Sequence, residues 1–150
     1  MASIHKSLRT AGFVIVVILF LSQLIRIDRS NPPVRSDISA GHDIEPILRR
    51  ACYNCHSNET VCPWYSGLAP ASWLVGSDVK EGRQLLNFSE WGIYAGDVQS
   101  RKLAGIAKEI QEGEMPPWYY SIAHSESRLN ASERNRIVAW TLEAAKSVSK

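Results

Sequence analysis

Within five residues, Cys52-Tyr53-Asn54-Cys55-His56, the chain sets two thiols three positions apart and an imidazole directly after the second. On a turn of helix, residues three and four apart share a face, so both sulfurs and the ring can address one ligand from one side. Such a set can add its thiols to the two vinyl groups of a haem while the histidine binds the iron. Two other readings use the same atoms. Cys52, Cys55, His56 and Cys62 make an acceptable tetrahedral zinc set, and a dithiol can act as a thioredoxin-like redox pair, which requires a βαβ setting. Three clustered cysteines are not the pattern of a disulfide framework.

The N-terminus bears on that choice. Ala11 to Ile25 read AGFVIVVILFLSQLI, an uncharged run preceded by Lys6 and Arg9, as in a secretory signal or a signal anchor. As a helix these residues rise about 22 Å, short of a hydrocarbon core of roughly 30 Å. Counting Leu8 to Ile27, with Arg9 and Arg26 snorkelling, brings the segment up to span. No small-x-small cleavage pair follows, since Arg26-Ile27-Asp28-Arg29 contains no small residue, and a retained anchor is therefore expected rather than a removed peptide. With the N-terminal positive charges inside, the remainder lies outside the cytoplasm, where c-type haem is attached and zinc–thiolate sites are less usual.

Net charge is +2 over 150 residues, but Lys6, Arg9, Arg26 and Arg29 face Asp28 alone in residues 1–29. The basic excess is thus a membrane-targeting signal, and nucleic acid is not an expected partner. Residues 30–41, SNPPVRSDISAG, have the composition of a linker, which leaves 42–150 as one domain.

That domain reads as all-α with long loops, because no stretch alternates like a strand. Asp43 is placed to cap a helix with Pro46 in its first turn and Ile44, Ile47, Leu48 and Ala51 as its apolar stripe. A second helix is expected over about Ala71–Leu86, weakened by Gly76 and Gly82. A third runs from about Ser100 to Glu112, with Leu103, Ile106, Ala107 and Ile110 on one face and Gly113 as its left-handed stop. The last opens at Asn130 with Glu133 three residues on, like a capping box, and carries Ile137, Trp140 and Ala144.

The third helix delivers the chain to Met115, in Gly113-Glu114-Met115-Pro116-Pro117-Trp118; it is the one methionine besides the initiator. A thioether is a soft ligand that raises a haem potential, and two prolines stiffen the loop that would hold it. His42 and His124 are the rivals for that second axial position. Eleven of the 13 aromatic residues lie between Tyr53 and Trp140, as a haem wall or an ordinary core would require. Trp64, Arg83, Asn87 and Trp91 could donate hydrogen bonds to propionates. Three Asn-x-Ser/Thr triplets, at Asn58, Asn87 and Asn130, match the glycosylation pattern but carry no weight in a chain of bacterial character.

The blocks CYNCHSNET, PWYSGLAPASWLV, EGRQLLNFSEW, EIQEGEMPPWYY and SERNRIVAW, in that order, resemble the bacterial haem-binding domain family of small c-type cytochrome-like proteins. The resemblance covers roughly His42 to Trp140. It implies a small cytochrome c-like helical domain around one covalent haem c, attached through Cys52 and Cys55, with His56 as proximal ligand and Met115, in the GEMPP block, as distal ligand. Cys62 departs from the pattern, standing where an aromatic residue is expected; it reads as a small buried hydrophobe.

The expected function is one-electron transfer by a carrier or redox subunit rather than an enzyme. Its partners are then a redox protein or membrane complex, and the membrane itself, with the haem domain on the periplasmic side of the bacterial inner membrane or released there after cleavage. The alternatives are a haem peroxidase or small-ligand sensor with a labile distal ligand, and a zinc-stabilised interaction module.

Overall fold

The computed structural model describes residues 2–148, and among them there is helix but no strand. The all-α expectation therefore holds. The chain divides into two compact units, one made of the chain up to Ser30 with Cys62–Asp78, the other of Asn31–Val61 with the chain from Val79 onward.

In the first unit, α1 (Ala2–Ser22) is long and apolar enough to be a membrane span or a signal sequence. It ends three residues before Ile25, the last apolar residue of the run. Just past that end, the Gln23 side chain donates to the Leu19 carbonyl within the helix and also pairs with the backbone of Ala69. A 3-10 turn, Trp64–Gly67, and the first half of α4 (Ala71–Leu85) complete the unit. Gly76 is small for a reason, since a Cβ there would lie 2.2 Å from Ile27 Cγ2.

The second unit holds α2 (Glu45–Ala51), α3 (Tyr53–His56), α5 (Gly96–Glu112), α6 (Trp118–Ala123), α7 (Ala131–Val148), the end of α4, and 3-10 turns at Phe88–Ile93 and Ser125–Ser127. α5 and α7 form its most extensive helix pair. One buried cluster joins Ile47, Ala51, Ile110, Leu129 and Ile137; another joins Ile38, Ala40, Ile44, Leu48, Tyr53 and Phe88. The four residues expected as the apolar stripe of α2 are all buried.

Local signals explain most helix ends. Asn130 and Glu133 form the reciprocal capping box, with Asn130 N–H donating to Glu133 at 2.9 Å and Glu133 N–H to Asn130 Oδ1 at 2.9 Å. Gly113 adopts the left-handed conformation, φ 78°. Asp43 does not cap α2; the N-cap is Ile44, with no side-chain bond, while Pro46 does fall in the first turn. α5 begins at Gly96, four residues before Ser100. Residues 30–41 contain no helix, as a linker would, but their later part is packed: Ile38 and Ala40 are buried, and the N–H groups of Arg35, Ser36 and Ile38 donate to carbonyls of Ser89 and Phe88.

Candidate functional site

Residues 52–56 fold around the carbonyl of Cys52. It accepts the N–H of Cys55 at 3.1 Å and that of His56 at 2.9 Å, so Cys52, Cys55 and His56 stand three and four apart on one turn. The two intervening residues fix that turn in place. Tyr53 points into the core, stacked on Phe88 at 5.1 Å between ring centroids, and its hydroxyl donates to Asp37 at 3.0 Å. Arg49 lies over the outer face of the Tyr53 ring, 4.7 Å from its centroid. Asn54 donates to the hydroxyl of Tyr120 on α6 at 2.9 Å and accepts the N–H of Val61 at 3.0 Å.

His56 is held from α4. Its Nδ1 lies 3.0 Å from the carbonyl oxygen of Gly82 and 3.2 Å from that of Leu86. Carbonyls only accept, so Nδ1 carries the proton and Nε2 keeps its lone pair. Burial lowers the His56 pKa against the opposing pull of those two carbonyls, which favours the same neutral ring. Phe88 meets the ring edge-on at 6.3 Å.

The approach of α4 that makes this possible needs a glycine. A Cβ on Gly82 would come to 2.6 Å from the Cys55 oxygen and 3.2 Å from the Cys55 Cβ. In the sequence Gly82 looked like a weakness in a helix; in the structure it is where helix and turn touch. Below the turn, Ser57, Asn58, Asn87 and Ser89 form a buried polar cluster, linked by Asn87 Nδ2 to Asn58 Oδ1 at 2.8 Å and Asn58 N–H to Ser89 Oγ at 3.0 Å. Such groups lose much if left unpaired, so Asn58 and Asn87 are structural and closed to glycosylation.

None of the three cysteines is in a disulfide, and each is half-buried. Burial pushes the Cys52 thiol up to about 12, and the neighbouring Cys55 adds to the effect. Among the described residues no three His, Cys, Asp or Glu side chains converge as a metal-holding group.

Met115 follows a tight helix stop in which the Glu109 carbonyl accepts three N–H groups in succession, those of Gly113, Glu114 and Met115. Its side chain packs on the cluster of Ile47, Ala51, Ile110, Leu129 and Ile137, and Cys52 packs on the same cluster. The Met115–Pro116 peptide bond is cis. The rival histidines are placed differently. His42 is exposed in a turn, whereas His124 stacks on Tyr120 and has its Nδ1 2.9 Å from Glu126. Of the residues considered for propionates, Arg83 is spent within the fold, donating to Ser57 O at 2.7 Å and to Thr60 and Asn31. Trp91 is partly buried against the Phe88 cluster, and Trp64 is exposed in the first unit.

Sequence reasoning did not find Gly82, Phe88, Asp37 or Arg49. A glycine in mid-helix was the one available signal; the others act through contacts remote in sequence.

A family model described as a haem-binding domain matches residues 16–143. No curated protein and no solved structure matches the chain.

Proposed function

The chain belongs to the haem-binding domain family, and from that premise we propose that it carries one haem c, bound covalently through Cys52 and Cys55. His56 and Met115 would hold its iron in this reading, and the protein would be a one-electron carrier or redox subunit. Residues 1–29 serve as a retained anchor and 42–150 as the haem domain, at the periplasmic face of a bacterial inner membrane. Its partner is a redox protein or a membrane complex.

The observation that carries this reading is the tethered imidazole. His56 Nδ1 donates to two backbone carbonyls, which fixes the tautomer, aims the ring and makes Nε2 a stronger donor to a metal. The residues present fit the group: two thiols and a neutral imidazole on one turn, with a thioether packed on the cluster that also holds Cys52. When bound, haem supplies a reversible one-electron couple at its iron. Burial keeps the His56 ring neutral and so available as a ligand, and the Tyr53–Phe88 stack keeps the turn from tilting. With both His56 and Met115 on the iron, the group would serve electron passage rather than substrate turnover. The histidine nearest in sequence to Met115, His124, is engaged with Glu126 and is not poised as a distal acid or base.

Replacing Met115 with Ala tests the assignment. The weak near-infrared methionine–iron band should vanish and the potential fall. An unchanged spectrum and potential would remove Met115 as a ligand and return the second axial position to His42, His124 or an open site.

A further inference from the structure

Ala11 to Leu21 carry no polar side chain, and the 18-residue window His5–Ser22 of α1 is 0% buried. The helix as a whole is long enough to cross a membrane, but its stretch beyond the last charged residue is shorter than a hydrocarbon core. From Arg9, whose guanidinium belongs at a polar interface, to Ser22, where the helix ends, the rise is about 20 Å, against roughly 30 Å of hydrocarbon. Snorkelling by Arg9 recovers a few ångströms at one end. The other end, from Ser22 to Ile25, is left at or inside the edge of the apolar layer.

A specific part of the same unit is fastened at that end. The Gln23 side-chain amide pairs reciprocally with the backbone of Ala69: Nε2 donates to its carbonyl at 3.2 Å, and Oε1 accepts its N–H at 3.0 Å. Ile27 sits against Gly76, and the Arg29 guanidinium is 3.4 Å from where a Cβ on Gly67 would be. Ala69 is therefore held within a side-chain length of the end of the helix, and Gly67 and Gly76 lie against the chain that follows it.

Their composition is unlike the rest of the chain. No charged side chain occurs between Glu59 and Asp78, although 21% of all residues are charged. Trp64 is 83% exposed, and Leu68, Trp73 and Leu74 are exposed with it. The backbone is largely self-satisfied: Ser66, Leu68, Ser72 and Trp73 donate their N–H groups to carbonyls within the segment, and Ser66 Oγ donates to Pro63 O at 2.6 Å. Uncharged, aromatic and internally hydrogen-bonded chain is what the bilayer–water boundary accepts, tryptophan and tyrosine above all.

We infer that residues 62–78 form an interfacial segment, with Trp64, Leu68, Trp73 and Leu74 seated among the headgroups and upper acyl chains of the phospholipid leaflet in which α1 ends. The segment lies where the apolar stretch of α1 ends. This rests on the reading of α1 as a retained anchor. The four seated side chains are uncharged, so zwitterionic phosphatidylcholine suffices for their contact.

The test uses the full-length haem protein in phosphatidylcholine vesicles doped with a phosphatidylcholine that bears a photoactivatable diazirine on its acyl chain. After illumination, lipid adducts are mapped by peptide mass spectrometry. Adducts on both the α1 peptide and the 62–78 peptide are expected, with loss of the latter alone in the variant Leu68→Glu, Leu74→Glu. Adducts on α1 only would overturn the interfacial segment and leave the anchor standing, whatever covers those four side chains. Adducts on neither would overturn the anchor reading and this one with it. Labelling of 62–78 that persists in the double variant would show that the contact does not depend on these side chains, and it too would overturn the inference.

Discussion

Replacing Gly82 with Ala sets two effects of opposite sign against each other. Helix propensity alone favours alanine in mid-helix by about 1 kcal/mol. The structure opposes it, because the new methyl would lie 2.6 Å from the Cys55 oxygen, 3.1 Å from the Cys55 carbonyl carbon and 3.2 Å from its Cβ. Restoring van der Waals separation means moving α4 or the Cys52–His56 turn by nearly 1 Å, and both are backbone. Overpacking of this kind costs about 1–3 kcal/mol. The shift also stretches the 3.0 Å contact between His56 Nδ1 and Gly82 O, a bond worth roughly 0.5–1.5 kcal/mol. After the propensity gain, a net loss of about 1–3 kcal/mol remains, which at about 3 °C per kcal/mol lowers the melting temperature by some 3–9 °C. Gly105, in α5, is the control: a Cβ there meets nothing within 4 Å, so Gly105→Ala should stabilise by about 0.5–1 kcal/mol. Thermal unfolding of the haem-loaded protein in detergent, followed by far-ultraviolet circular dichroism, reads both. A Gly82→Ala protein as stable as Gly105→Ala would refute the close approach of helix and turn, and with it the explanation of how His56 is held.

Three further outcomes follow from the same geometry. Arg50 donates to Glu133 at 2.6 Å and to the carbonyls of Glu126 and Arg128, so Arg50→Ala should cost about 1–3 kcal/mol in denaturant unfolding, whereas Arg101→Ala, in an exposed i,i+4 pair with Asp97, should leave the midpoint unmoved. Asn130→Ala removes one half of the capping box and should lower stability by about 1 kcal/mol, with Asn130→Asp restoring most of it; equal midpoints for the two variants would dismiss the cap. The double variant Cys52→Ala, Cys55→Ala should lose cooperative unfolding, since haem contact supplies much of the apolar packing in a domain this small; a sharp, equally stable transition would show the fold to be independent of the group.

Much of the fold was legible because its signals are local. The stripe Ile44, Ile47, Leu48, Ala51, the Asn130–Glu133 box and the stop at Gly113 each depend on residues within a turn or two of one another, and each is found where periodicity and capping chemistry put it. What could not be read depends on distant partners. α1 stops at Ser22, beside the pairing of Gln23 with Ala69, a contact 46 residues away. Ile38 and Ala40 are core residues within a segment of linker composition, because Ser89 and Phe88 accept its N–H groups. At the early start of α5, Gly96 leaves room for the Val148 carbonyl, which a Cβ would meet at 2.6 Å, a contact 52 residues away. Likewise, Cys52, Cys55 and His56 were recognisable as a set from spacing alone, but the Gly82 and Leu86 carbonyls that orient the ring carry no sequence signature beyond a glycine.

The central claim is that Cys52 and Cys55 hold a haem covalently, with His56 beside them. Its most direct test is a pyridine haemochrome spectrum of protein expressed with a c-type maturation system, recorded after acid–acetone extraction has removed any non-covalent haem. A c-type band that survives extraction, and is lost in the Cys52→Ala, Cys55→Ala variant, is the expected result. Haem that leaves with the solvent, or a protein that never takes it up, would contradict covalent attachment and the electron-transfer reading built on it.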